Sequence, residues 1–162
     1  FAFENQFDPH AGDVAGDVGE SAGGAIPGEM KGMAGGLLLV GGNAGDRLGD
    51  RMRRGQILVS GSAGDYCGTR MIAGTIAVAG ALGAYPAYGM RRGTLILNAL
   101  PVRMLPTVVD CGAHRLGFLS LLYASWKGLP GPFGALDAGA CTVRRYMGDM
   151  AVSGRGELLV RG

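Results

Sequence analysis

The chain has 162 residues, enough for one domain with a continuous apolar core. Hydrophobic residues make up 48% and charged residues 17%, which excludes wholesale disorder, and a net charge of +2 is too mild to argue for nucleic acid. Glycine is the outlying number at 32 residues, about three times its usual share, yet with 7 prolines and no three-residue period the chain is not collagen-like.

The first 15 residues carry no readable pattern. From Gly16 onward the glycines fall into register. Residues 42–60 (GNAGDRLGDRMRRGQILVS), 61–79 (GSAGDYCGTRMIAGTIAVA) and 80–98 (GALGAYPAYGMRRGTLILN) align without gaps as three units of 19. Gly42, Gly61 and Gly80 open the units; Met52, Met71 and Met90 share one column, and Gly55, Gly74 and Gly93 another. Residues 16–41 form an earlier unit once about seven extra residues are allowed within 24–32, since Gly16, Gly19 and Gly23 match the glycine columns and Met33, Gly36, Leu38 and Val40 rejoin them.

Each unit ends in a short aliphatic run bounded by glycine (QILVS, TIAVA, TLILN), which is a strand signal. Period two places Ile57, Ile76 and Leu95 on one face with Val59, Val78 and Leu97, as two stacked ladders pointing inward. Ala44, Ala63 and Leu82, then Leu48, Cys67 and Pro86, and the methionine column are further inward candidates. Equivalent strands stacked about 4.8 Å apart pair in parallel, and only a stack buries such a face. The expectation is an all-β chain: a right-handed parallel β-helix (solenoid) with 19-residue coils, plus a C-terminal helix and a final degenerate coil.

Two other repeat types fit less well. A six-residue period does not divide 19, and calcium-binding nonapeptide repeats need dense aligned aspartates, whereas Asp46 and Asp65 are followed by Ala84. The regular coils therefore end at residue 98, and residues 99–162 read as an extension. Its first part, LPVRMLPTVVD, holds two prolines and is expected to leave the solenoid as an extended segment. A helix is predicted over 114–127, with Leu116, Leu119, Leu122, Tyr123 and Trp126 at helical spacing and Gly128 and Pro130 as stop signals. Residues 144–160 echo one coil with two residues added.

Catalytic motifs are scarce. There is no P-loop, GxSxG, HExxH or CxxC pattern. The DCGAH run could bring Cys111 and His114 together as metal ligands or as thiolate and base, but a closed metal site needs about four ligands. The residues alone read more simply as a buried Cys111 and a His114 that caps or packs the helix, with Cys67 in the core. Three cysteines make no disulfide framework and fit a cytoplasmic setting; no signal peptide is visible, and no apolar run reaches the ~18 residues that span a bilayer. The arginines form the more suggestive set. Arg51 and Arg70 share a column, Arg53 and Arg91 the next, and Arg54 and Arg92 the one after, with Arg144 and Arg145 as a possible extension. The four residues Arg53, Arg54, Arg91 and Arg92 are candidates for contact with a partner or a polyanion; the alternative is a solvated corner balanced by Asp46, Asp50 and Asp65.

The run GNAGDRLGDRMRRGQILVSGSAGDYCGTRMIAGTIAVAG, continued by AYPAYGMRRGTLIL and LPTVVDCG, resembles the C subunit family of formylmethanofuran dehydrogenase. The stretches GESAGGAIPGEMKGMAGG and YMGDMAVSGRGELL resemble more closely its bacterial branch, the C subunit of the formyltransferase/hydrolase complex. The coil type is also similar to the C-terminal GxGxG domain of glutamate synthase. The resemblance covers nearly everything from Gly16 to Val160 and implies a cytoplasmic complex of one-carbon metabolism. In it, formyl groups pass from a tetrahydromethanopterin carrier to a methanofuran-type cofactor and are released as formate. It implies a non-catalytic scaffold subunit with no catalytic, cofactor or metal residues of its own. The methanofuran-type cofactor and zinc are expected on partners: an amidohydrolase-like subunit, a formyltransferase and a dehydrogenase-B-like subunit, with no nucleic acid and no membrane. The alternatives are the C subunit of a tungsten/molybdenum formylmethanofuran dehydrogenase and a glutamate synthase spacer domain. Members of this family carry more solenoid at the N-terminus, and this chain opens on Phe1 rather than Met, so it reads as truncated.

Overall fold

A computed structural model describes residues 13–14, 16–24 and 32–161. A strand that pairs with its counterpart in the next coil needs equal backbone length in every coil, and the period of 19 supplies it. β1 (Asp13–Val14), β2 (Ala34–Val40), β3 (Arg54–Val59), β4 (Thr75–Val78) and β5 (Thr94–Leu97) pair successively in parallel. Gln56 lies opposite Thr75 and Thr75 opposite Thr94, in the register of the repeat. Leu38 faces Ile57 and Val40 faces Val59. Bridges from Val18 to Ala44, Ala44 to Ala63 and Ala63 to Leu82 hold a second corner of the coils together. The first of these intervals exceeds the period by the length of the insertion; residues 25–31 lie outside the described residues. This is a parallel β-helix.

Polar ladders run beside the strands. The Asp17 carboxylate accepts the N–H of Asn43 (2.7 Å), the Asn43 amide oxygen accepts Ser62 N–H (2.8 Å), and the Ser62 hydroxyl accepts Ala81 N–H (3.0 Å). Likewise Asp46 accepts Asp65 N–H and Asp65 accepts Ala84 N–H, both at 2.7 Å. The two aligned aspartates are thus occupied by the turn of the following coil. They form no ion pair with the arginines among the described residues; there the acidic partners of arginine are Glu20, Asp50, Asp110 and Glu157. The glycine before each strand has a steric reason: at Gly74 (φ +109°) a Cβ would sit 2.9 Å from Met52 Cε and 3.0 Å from the Gly55 carbonyl oxygen.

Met33, Met52, Met71 and Met90, the two inward strand columns and the Ala44, Leu48 and Cys67 positions are buried together inside the coils. The outward column is buried as well. Leu58, Ala77, Ile96 and Leu159 lie under Leu119, Tyr123, Trp126, Phe133 and Val143. α1 (Phe118–Ser125) and the following turn at Pro132–Ala135 therefore pack on the solenoid's own sheet. Each large aliphatic side chain so covered contributes about 1.5–3 kcal/mol. Trp126 Nε1 donates to Gln56 Oε1 on β3 at 2.7 Å, so the indole is buried with its N–H satisfied.

The extension differs from expectation in three places. Residues after Asn98 follow the coil further than the prolines suggest: Val102 N–H donates to Leu82, Tyr85 N–H donates to Arg103, and Ala84 bridges Arg103, so the chain departs only beyond Arg103. The helix starts at Phe118, not at 114, because His114 and Arg115 belong to β6 (Val109–Arg115), where they pair with Val143 and Thr142. The terminal echo is half a coil: β8 (Gly156–Arg161) stacks in register on β5, with Glu157 opposite Thr94, whereas β7 (Thr142–Gly148) runs antiparallel between β8 and β6. β7 and β6 thus occupy the position of a further coil and cover the edge of β8. Among the described residues no helix is long and apolar enough to cross a membrane.

Replacing Trp126 by alanine should cost about 3–5 kcal/mol, from lost burial and the cavity left under the helix. Trp126→Phe should cost about 1 kcal/mol, from the lost bond to Gln56. Urea unfolding followed by circular dichroism measures both.

Candidate functional site

The turns that lead into the methionine column stack along one corner of the solenoid. There Arg51 (φ 55°) and Arg70 (φ 52°) adopt the left-handed backbone conformation that glycine fills in the third coil, at Gly89 (φ 64°). An arginine in that conformation costs roughly 1–2 kcal/mol more than glycine. The turn holds them there: Arg51 N–H donates to Thr69 (2.8 Å) and Arg70 N–H to Tyr88 (2.7 Å). Gly89 gives Arg70 room, since a Cβ there would lie 3.0 Å from Arg70 Cγ.

Two adjoining clefts of about 510 and 650 Å³ open beside these turns and share Ile72, Arg91 and Val152. Arg51, Arg70, Tyr88 and Asp149 complete the first; Arg92, Ser153 and Arg155 belong to the second. Ile72, Tyr88 and Val152 are exposed apolar side chains in this lining, and Tyr66 packs edge-on against Tyr88 with ring centroids 5.9 Å apart. Arg51 approaches Asp50 at 3.7 Å; Arg70, Arg91, Arg92 and Arg155 have no carboxylate partner among the described residues.

Asp149 is the carboxylate in the lining, and its oxygens are committed. Oδ2 accepts Gly89 N–H (2.9 Å) and Oδ1 accepts Ala151 N–H (3.0 Å), while its own N–H donates to Met90. Burial pushes this carboxyl up, but hydrogen bonds from Thr107, Gly89 and Ala151 outweigh it and hold the group below the ordinary carboxylate range. Asp149 therefore ties the terminal segment to the third coil and leaves the cleft's charge to the arginines.

Of the four arginines singled out in the sequence, the structure brings Arg91 and Arg92 into the cleft. Arg53 and Arg54 are exposed but lie outside its lining, because Ile72 and Ala73 occupy their columns in the intervening coil. Arg144 and Arg145 do not extend the ridge: Arg144 chelates Asp110 (2.6 and 3.1 Å to Oδ2) and Arg145 binds Glu157 (2.9 Å). Tyr88, Val152 and Arg155 are lining residues that the repeat pattern does not single out. Arg155 had a signal, since Arg155-Gly156 repeats the Arg-Gly step of Arg92-Gly93, and β8 sits on β5 in that register.

DCGAH does not assemble a thiol and a base. Cys111 is exposed on β6, not buried, and its thiol leans toward the Val109 carbonyl at 3.6 Å, while His114 Nε2 bonds the Cys111 carbonyl oxygen at 2.8 Å. His114 sits in the edge strand and neither caps nor packs the helix; pairing of the backbone with β7 decides this. Among the described residues no group of three or more His, Cys, Asp or Glu could hold a metal ion.

No family model matches the chain. A curated relative, the C subunit of the formyltransferase/hydrolase complex Fhc of Methylorubrum extorquens, is 52% identical over 57 residues, which is 35% of this chain and 21% of the relative. A crystal structure of the formyltransferase/hydrolase complex (FhcABCD) from the same organism, in complex with methylofuran, contains a chain 50% identical to this one with a TM-score of 0.85. That match covers 93% of this chain. The chain is a relative of the formyltransferase/hydrolase C subunit. It spans 55% of the length of the matched crystal chain, so the likeness concerns one part of a longer polypeptide. The match spans nearly all of the present solenoid and its extension, well beyond the strand ladder alone.

Burial lifts the Cys67 thiol to about 12, so it is protonated and unreactive at neutral pH. A chromogenic disulfide reagent should label Cys111 rapidly in the native protein, and Cys67 and Cys141 only after unfolding; fast labelling of all three would contradict the burial described. For Asp149 the folded pKa lies below the unfolded value near ~3.9. Its stabilisation is therefore present above that value and is lost as the pH falls through the folded pKa. Asp149→Asn should lower stability at pH 7 by about 1–3 kcal/mol and flatten the fall in urea midpoint as the pH drops below the unfolded carboxylate value.

Proposed function

We propose that this chain belongs to a non-catalytic scaffold subunit of a cytoplasmic formyltransferase/hydrolase complex. In that complex a formyl group moves from a tetrahydromethanopterin carrier to a methanofuran-type cofactor, and water then cleaves the formyl–nitrogen bond to release formate. The observation that carries the reading is 50% identity, over 93% of the chain, to a chain of the FhcABCD crystal structure. The chemistry falls to an amidohydrolase-like zinc subunit and a formyltransferase, while this chain contributes form.

The physical character of the fold supports that role. A stack of coils tied by backbone ladders on two corners, with both sheet faces buried, is a stiff rod with fixed side-chain columns. Such a rod holds surfaces at set separations, as an assembly element must.

The test is co-purification of the tagged full-length protein from its native cells. Recovery of a formyltransferase and an amidohydrolase-like subunit in fixed ratio is the expected result. Recovery of the protein alone, folded and without partners, would overturn the reading.

A further inference from the structure

We infer that the cleft at Arg70, Arg91, Arg92 and Arg155 is a docking site for an acidic, apolar-bearing segment of another polypeptide of the same assembly. The inference rests on the assembly reading and adds where the contact is made and what chemistry the partner brings.

Three observations at one place carry it. The arginines converge from three different coils, and Arg70, Arg91, Arg92 and Arg155 have no carboxylate partner among the described residues. A neutral partner would leave those guanidinium groups desolvated without compensation, whereas aspartate or glutamate side chains would meet them through charge-assisted, bidentate bonds. Next to them in the lining stand Ile72, Tyr88 and Val152, all exposed and apolar. Arginine and tyrosine around an apolar centre are side chains enriched in protein interfaces. A purely polyanionic ligand would leave Ile72 and Val152 facing water.

The surface is also preorganised. Thr69 and Tyr88 carbonyls hold the two arginine turns, Asp149 clamps Gly89 to Ala151, and Arg155 N–H donates to the Arg91 carbonyl at 2.7 Å. Little backbone order remains to be lost on binding, which favours a rigid recognition surface. Some exposed basic groups elsewhere are engaged, as with Arg144 on Asp110 and Arg47 on Glu20, whereas others such as Arg53 and Arg54 are exposed without a carboxylate partner among the described residues but line neither cleft. In the cleft, unpaired positive charge and apolar surface stand side by side.

The experiment co-expresses the full-length protein with the other subunits and compares R91E/R92E and Ile72→Glu with R53E/R54E, which changes the same charge outside the lining. Thermal unfolding of each isolated variant confirms that it folds. Assembly is read by size-exclusion chromatography with mass measurement, across a salt series. We expect R91E/R92E and Ile72→Glu each to weaken assembly about 30-fold or more, and R53E/R54E to leave it within about threefold. Hydrogen exchange of unmodified protein should show protection of residues 70–72, 88–92 and 150–155 on assembly. If the unmodified protein assembles and neither the cleft variants nor the exchange pattern changes, the docking site is wrong and the scaffold reading stands. If the unmodified protein does not assemble, both fall.

Discussion

Every feature of this molecule depends on backbone stacking at a constant interval. Parallel pairing between coils makes each strand the template for the next, and a period of 19 keeps the columns in register from Leu37 in β2 through β5, after a one-residue shift at the start of β2. The stacking has a polar counterpart at the turns. Asp17, Asn43, Ser62, Asp46 and Asp65 each pass a side-chain acceptor to a backbone N–H of the following coil, so turn donors that no strand pairs are still satisfied. Both ladders work only while the coils are equal in length. The insertion after Gly24 is tolerated because Met33 rejoins the methionine column before the next strand begins.

A stack of this kind has open ends and one exposed sheet face, and the extension deals with both at the C-terminal side. The helix and its following turn cover the outward column, where alternation would otherwise put Leu58, Ala77 and Ile96 in water. β8 takes the next place on the ladder and β7 reverses direction beside it, so the sheet changes from parallel to antiparallel pairing without leaving a gap. The loop between β7 and β8 carries Asp149, Val152 and Arg155 back to the corner of the coils. Closing the stack and building the cleft are thus the work of one segment.

The cleft shows how a solenoid concentrates charge. Residues 19 apart in sequence stand about 4.8 Å apart in space, so scattered arginines gather on one corner. The pattern need not be perfect. Ile72 and Ala73 interrupt the arginine columns in the middle coil, and that interruption separates Arg53 and Arg54 from Arg91 and Arg92 while giving the cleft an apolar side.

The gapless repeat determined the coil length, the strand positions, the inward columns and the burial of Cys67, because in a stack the equality of column and contact is set by the backbone alone. Local pattern also located the helix, though not its start, since helical spacing at Leu116 could not show that His114 and Arg115 are taken by β7. Only the tertiary structure decided that Leu58, Ala77 and Ile96 are covered, that Cys111 is exposed, and that Arg144 and Arg145 are neutralised by Asp110 and Glu157. It also decided which arginines share a cleft, because Arg155 and Val152 arrive there from a segment about sixty residues beyond the third coil, by an antiparallel return that no period announces. Repetition makes long-range contacts legible from sequence; where the period stops, they depend on packing that only the folded chain defines.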